Sequence, residues 1–139
     1  MIDIKELRIG NIVNYMQAVS DGVDYKRGVI TSLTQNKAIV NGIGVKYCNL
    51  LPVILDRELI KKIGFDFDDK KILSYRYKDS SITLDMNESK SERIISYERE
   101  YKEDGEYVIE KVTEIICNSL HELQNCYFAI TNKELEIKL

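Results

Sequence analysis

His121 is the single histidine of the chain, so any mechanism that moves a proton through an imidazole near neutral pH rests on it. Cys117 lies four residues earlier, and a thiol beside an imidazole is the pairing that makes a cysteine nucleophile. The spacing does not favour that chemistry. Ser119 reads as the cap of a helix starting between the two, so helical i, i+4 geometry cannot join them. His121 then falls at the second helical position, where the positive end of the helix dipole favours neutral imidazole. A surface or cap-associated ring is the expectation, and His121→Ala should cost little stability. Cys126, beside the apolar stripe of the same helix, reads as a small buried hydrophobe.

Metal ligation finds little support in the spacing. Asp66-Phe67-Asp68-Asp69 gathers three carboxylates within four residues and could attract a hard cation. It lacks the glycine and the distal bidentate glutamate of a calcium loop, so a solvated turn after a helix is the simpler reading. One histidine and three scattered cysteines (Cys48, Cys117, Cys126) match no zinc spacing. There is no phosphate-cradling glycine loop, no Gly-x-Ser-x-Gly and no metalloprotease motif. No catalytic, cofactor-binding or metal residue is assigned, no cofactor is expected, and a small enzyme ranks last among the readings.

Two other clusters point to recognition. Tyr97, Arg99, Tyr101 and Tyr107 surround a charged hairpin tip, and tyrosine with arginine is the composition of many protein-binding surfaces. Tyrosine also has high strand propensity, which explains the same residues as sheet formers. Lys26, Arg27, Lys37 and Lys46, with Tyr15, Tyr25 and Tyr47, could form a basic aromatic face for nucleic acid. Ordinary solvated strand edges guarded by lysines are the simpler explanation of the same residues.

The elements that would position these residues are written in the pattern. Residues 1–54 read as short, bent strands: one leading to Tyr15 past a bend at Gly10, then Lys26–Leu33, Lys37–Val40 and Ile43–Tyr47. Ser20-Asp21-Gly22 signals a turn, and Asn41-Gly42 between apolar runs signals a type I′ hairpin. A small SH3-like β lobe is expected there. Residues 55–139 read as an α+β lobe, and the two lobes as one integrated unit. A helix at 56–63 has Asp56 as cap, Leu55 and Ile60 as hydrophobic staple, and Gly64 as terminator. Antiparallel strands fill 72–116, with one hairpin about Asp79-Ser80 and a longer one about Asp104-Gly105. A two-residue turn there sets Arg99 opposite Glu110, Glu98 opposite Lys111, Tyr97 opposite Val112, Ser96 opposite Thr113 and Ile94 opposite Ile115.

The second helix, at 120–131, opens with a Ser119/Glu122 capping box and carries an apolar stripe of Leu120, Leu123, Tyr127 and Ile130. Gln124 and Asn125 are its polar residues in the core half, expected to hydrogen-bond strand edges or the turn at residues 7–11. A closing strand is expected at 134–138, where Leu135 and Ile137 alternate with charged residues.

Composition bounds the rest. The chain has 139 residues, 44% hydrophobic and 31% charged, which places it among ordinary globular proteins. No apolar run approaches the ~20 residues of a membrane span, and no signal peptide is visible at the start. The odd cysteine count, without Cys-x-x-Cys, fits a reducing cytoplasm. Net charge is −3. Residues 1–50 carry six basic against four acidic side chains and residues 51–139 fourteen against nineteen, which argues against broad nucleic-acid binding without excluding a local basic face.

Three stretches together carry a resemblance. They are Glu6-Leu7-Arg8-Ile9-Gly10-Asn11-Ile12-Val13, Pro52-Val53-Ile54-Leu55 running through to Ile63-Gly64-Phe65, and His121-Glu122-Leu123-Gln124-Asn125-Cys126-Tyr127-Phe128-Ala129-Ile130-Thr131. The chain resembles a family of small uncharacterised proteins of gut Bacteroidetes and their bacteriophages, in which such segments surround a variable middle. The family has no established activity, so the resemblance implies a setting: a cytoplasmic, phage or mobile-element protein. The expected function is a non-enzymatic binding module that recognises a protein partner and modulates or inhibits a host factor. The alternative is a nucleic-acid-binding module acting through the SH3-like lobe. No membrane association is expected, and the oligomeric state is open.

Overall fold

The structure is a computed structural model that describes residues 2–67, 74–77, 82–87 and 92–138. Among these it is α+β: two five-stranded antiparallel sheets and two α-helices. The chain divides into two compact units. Met1–Ile54 with Ser119–Asn125 forms one, and Leu55–Asn118 with Cys126–Leu139 forms the other. Ser119–Asn125, read from sequence as part of the second lobe, thus groups with the first.

In the first unit a 3-10 turn at Ile4–Glu6, capped by the Asp3 carboxylate accepting from Lys5 N, leads to β1 (Ile12–Val19). Then follow β2 (Gly22–Leu33), β3 (Lys37–Val40), β4 (Ile43–Lys46) and, after a 3-10 turn at Tyr47–Asn49, β5 (Leu50–Leu51). The sheet order is β4-β3-β2-β1-β5, an open sheet with β4 and β5 at its edges and no closed barrel. Strands β1 and β2 run through the segment expected as a loop, because Val19 opposite Gly22 leaves only Ser20 and Asp21 to turn. The Asn41-Gly42 turn is as expected, with φ of 51° and 79°. Both values are positive, as a type I′ turn matching the strand twist requires. Val13, Tyr15, Ile30, Ala38, Val40, Val45 and Leu50 join Ile2, Leu7 and Tyr47 in one core.

In the second unit α1 (Arg57–Ile63) has the caps expected for it. The Asp56 carboxylate accepts from Leu59 N at 2.7 Å, and Gly64, at φ 116°, ends the helix. Leu55, Ile60, Ile63 and Phe65 are buried. The sheet runs β10-β9-β8-β7-β6, from β6 (Phe65–Phe67), β7 (Ser74–Tyr77), β8 (Ile82–Asn87), β9 (Glu92–Glu103) and β10 (Glu106–Ile116).

Three expectations are corrected here. Asp66-Phe67 does not belong to a turn: buried Phe65 and exposed Asp66 alternate in β6, and Asp66 lies opposite Arg76 of β7. Asp68 to Lys71 and the Asp79-Ser80 turn lie outside the described residues. The β9–β10 register holds from Glu103↔Glu106 to Glu98↔Lys111, including Arg99↔Glu110, then shifts by one between Lys111 and Thr113. Beyond that bulge Tyr97 faces Thr113, Ser96 faces Glu114, Ile95 faces Ile115 and Ile94 faces Ile116. An unbroken register would have set the buried Ile95 against Glu114; the extra residue gives it an isoleucine instead. Finally, residues 134–138 form no strand. Leu135 is buried and Ile137 half-buried between exposed neighbours, so the alternation is real, but no strand among the described residues pairs with this segment.

Two substitutions test this description. Asp56→Ala should lower stability by about 1 kcal/mol in urea unfolding, by removing the acceptor for Leu59 N. Thr83 and Ser96 face each other across β8–β9, both fully buried, and neither hydroxyl has a partner. Thr83→Val should therefore be neutral or stabilising by up to about 1 kcal/mol, because it removes a buried polar group that makes no hydrogen bond. A loss of stability on that change would show that the hydroxyl is satisfied.

Candidate functional site

The densest polar arrangement in the described structure joins the segment Glu6–Ile12 to the first turn and a half of α2 (Leu120–Thr131). Asn11 is fully buried, and its Oδ1 accepts from Arg8 N at 2.7 Å, closing the turn before β1. Gly10 sits at φ 94°, a backbone region that a side chain would strain, and its N–H donates to Ile30 O at 2.8 Å. The Gln124 carboxamide accepts from Ile12 N (2.8 Å) and donates to Gly10 O (2.9 Å). Asn125 donates to Glu6 O (2.6 Å), and its Oδ1 accepts from Asn11 Nδ2 (2.9 Å) and from Arg8 Nε (3.1 Å). The expectation that Gln124 and Asn125 bond the turn at residues 7–11 is met at Gly10 O, Asn11 Nδ2 and Arg8 Nε, while Ile12 N and Glu6 O extend the contact one residue to either side.

His121 is cap-associated, one of the two placements expected for it, with Ser119 Oγ beside its ring, but it is not on the surface. It is 1% exposed, not a surface ring. Its Nδ1 lies 3.0 Å from Ser119 Oγ, and its Nε2 lies 3.5 Å from Glu6 Oε2. Its surroundings come from distant sequence: Leu120 N donates to Val53 O at 2.8 Å, holding the start of α2 against the segment at Val53, and Glu6 stands at the other side of the ring. His121→Ala should consequently destabilise rather than be silent. Ligand atoms of Glu6, His121 and Glu122 all lie within 4.8 Å of one another. Sequence spacing could not signal this cluster, because Glu6 stands 115 residues from His121. Cys117 is buried and stands before the helix, in the other unit.

The recognition clusters are not assembled as expected. At the β9–β10 tip, Asp104 and Gly105 have φ of 50° and 83°, the two-residue turn read from sequence. Tyr107 is 69% exposed, with Lys102 Nζ 4.9 Å from the centre of its ring. Tyr97 is half-buried and pairs with Ile82 of β8, away from the tip. The side chains of Arg99 and Tyr101 lie outside the described structure. Positions 97, 99 and 101 share one parity along β9, whereas Tyr107 faces position 102 and takes the other face.

In the first unit Lys26, Arg27, Lys37 and Lys46 are all exposed, but Lys26 and Arg27 are consecutive in β2 and point to opposite faces. Arg27 Nε donates to Asn14 Oδ1 at 3.2 Å, and Lys37 lies directly opposite Lys46. Tyr15 and Tyr47 belong to the core and leave Tyr25 as the exposed ring of that set. A cavity of about 290 Å³ between β1 and β4, lined by Tyr15, Met16, Ile43, Val45 and Lys46 among others, gathers no group of titratable side chains. No helix is long and apolar enough to cross a membrane among the described residues.

Comparison with family models, with curated proteins and with solved structures finds no match.

The carboxamide bonds make a direct prediction. Gln124→Ala leaves the Ile12 N–H and the Gly10 carbonyl without their partner, and each such buried group costs about 1–3 kcal/mol. The expected loss is about 2–4 kcal/mol in urea unfolding, together with faster hydrogen exchange at the Ile12 amide. Unchanged exchange at Ile12 would count against the bond.

Proposed function

We propose that the protein is a non-enzymatic binding module that recognises a protein partner through the β9–β10 arm. One observation carries the reading. Strand β8 accompanies β9 from Glu92 to Tyr97, whereas β9 and β10 continue through six further pairs, from Glu98↔Lys111 to Glu103↔Glu106. Over that length the hairpin is a two-stranded ribbon with no third strand among the described residues. A ribbon that no third strand flanks among the described residues offers backbone edges and, at Tyr107, exposed aromatic area.

The chemistry of the arm narrows the partner. Residues 98–111 hold six carboxylates and three cations, a net charge of −3. That charge disfavours a phosphate backbone and favours a basic protein surface, with Tyr107 and its Lys102 neighbour as the aromatic anchor. Nucleic-acid binding through Lys26, Arg27, Lys37 and Lys46 has less support, since the β2 ladder divides Lys26 from Arg27.

The first unit is read, within this proposal, as SH3-like. The order β4-β3-β2-β1-β5 and the 3-10 turn before β5 support that reading. A cytoplasmic, phage or mobile-element setting and modulation of a host factor rest on the resemblance of the three sequence segments.

A photo-crosslinking residue at position 107 in host lysate tests the proposal. A discrete crosslinked protein is expected, its yield falling as salt rises and dropping at least about tenfold with Glu103→Lys and Glu106→Lys placed together beside the probe. The same proteins captured by a variant lacking residues 100–109 would remove the arm from the reading. Binding to single- or double-stranded DNA or RNA at low ionic strength, abolished by Lys37→Glu, would shift it to the nucleic-acid alternative.

A further inference from the structure

We propose that Glu6, His121 and Glu122 form a site for a divalent transition-metal ion of the zinc class. Nitrogen and carboxylate oxygen together are the donors that such borderline ions take. Acidic side chains near one another are common, so the weight lies on the histidine. Its ring is 1% exposed yet does not serve as apolar filling: Nδ1 is engaged by Ser119 Oγ at 3.0 Å, leaving Nε2 directed at Glu6. An imidazole oriented by a hydrogen bond at one nitrogen and presenting the other is how metal-ligating histidines are held.

The distance between Nε2 and Glu6 Oε2 supports the same conclusion. At 3.5 Å it is long for a histidine–carboxylate hydrogen bond. It falls within the edge of a coordination tetrahedron, which is about 3.3–3.6 Å for ligand bonds of about 2.0–2.2 Å. The third ligand atom, from half-buried Glu122, lies within 4.8 Å of the other two. Glu6, half exposed, leaves one side open, so water completes the coordination. The start of α2 is the positive end of a helix dipole and opposes a cation. The two carboxylates supply negative charge against it. The ion would join the 3-10 turn at Ile4–Glu6 to the start of α2, an independent feature from the arm.

Because His121 is the sole histidine, its ring nitrogens report without ambiguity. The test uses the full chain carrying Cys48→Ser, which removes the exposed thiol as a competing zinc ligand, after chelator treatment. Titration with zinc alone should give one ion per chain by calorimetry and a large shift of the His121 Nε2 resonance with Nδ1 nearly unmoved. Glu6→Gln and Glu122→Gln should each weaken binding at least about tenfold. Glu6 is exposed enough for its variant to fold, and unfolding curves without metal verify that. No movement of the His121 resonances at stoichiometric zinc overturns the proposal, as does binding that both glutamine variants leave unchanged.

Discussion

A peptide plane and a glutamine carboxamide carry the same pair of groups, one N–H donor and one C=O acceptor, and the first unit depends on that equivalence. Between Arg8 and Ile12 the chain turns sharply before β1 begins. On that side of the turn no strand lies alongside to take the Ile12 N–H or the Gly10 carbonyl. Gln124 takes both, acting as a single residue of a neighbouring strand supplied from a helix. Asn125 does the same work one position on, for Glu6 O, Asn11 and Arg8. A buried backbone group without a partner costs as much as a lost hydrogen bond, so the turn and the helix are tied energetically across more than a hundred residues of sequence.

That dependence explains which features were legible in advance. Turns, caps and periodic faces are written in consecutive residues, and they are found where expected: Asn41-Gly42, Asp104-Gly105, Asp56 with Gly64, and the extent of α2. Gln124 and Asn125 were also legible, because two adjacent amides on the core side of a helix need partners and the tight turn at residues 7–11 needs donors and acceptors. The bulge near Val112 was not, since a register of matched charges near the turn gives no sign of where a later isoleucine must find its partner. The segment at 134–138 shows the opposite failure. Alternation fixes which side chains face inward, but a strand also requires a neighbouring backbone. His121 was legible as a cap residue but not as a buried one, for a related reason. Its burial depends on Glu6 and on Val53, and nothing near position 121 announces either.

The candidate sites divide along the same line. The hairpin tip was legible as a turn and as a concentration of charge, and those are local properties. Its faces were not: four residues near one another in sequence need not share a surface when strand parity sends Tyr107 to the opposite side of the ribbon from positions 97, 99 and 101. The basic cluster in the first unit fails by the same rule, with Lys26 and Arg27 adjacent in one strand. Counting residue types near a tip identifies a region but leaves its binding face undetermined, because a period of two separates neighbours.

The arm is also marginal by construction, and this bears on how it would recognise a partner. A two-stranded hairpin in water is barely stable alone, and among the described residues no third strand supports the six outer pairs. The paired charges at Arg99↔Glu110 and Glu98↔Lys111 lie at its base, where each such pair is worth about 0.2–1 kcal/mol. Nearer the turn Glu103 faces Glu106, a like-charged pair that weakens the end of the ribbon. Stability therefore falls from base to tip. A basic partner would neutralise the Glu103/Glu106 repulsion as it bound, so ordering of the tip and association with the partner would stabilise each other. On this argument the charge that loosens the free hairpin is the same charge that selects what it binds.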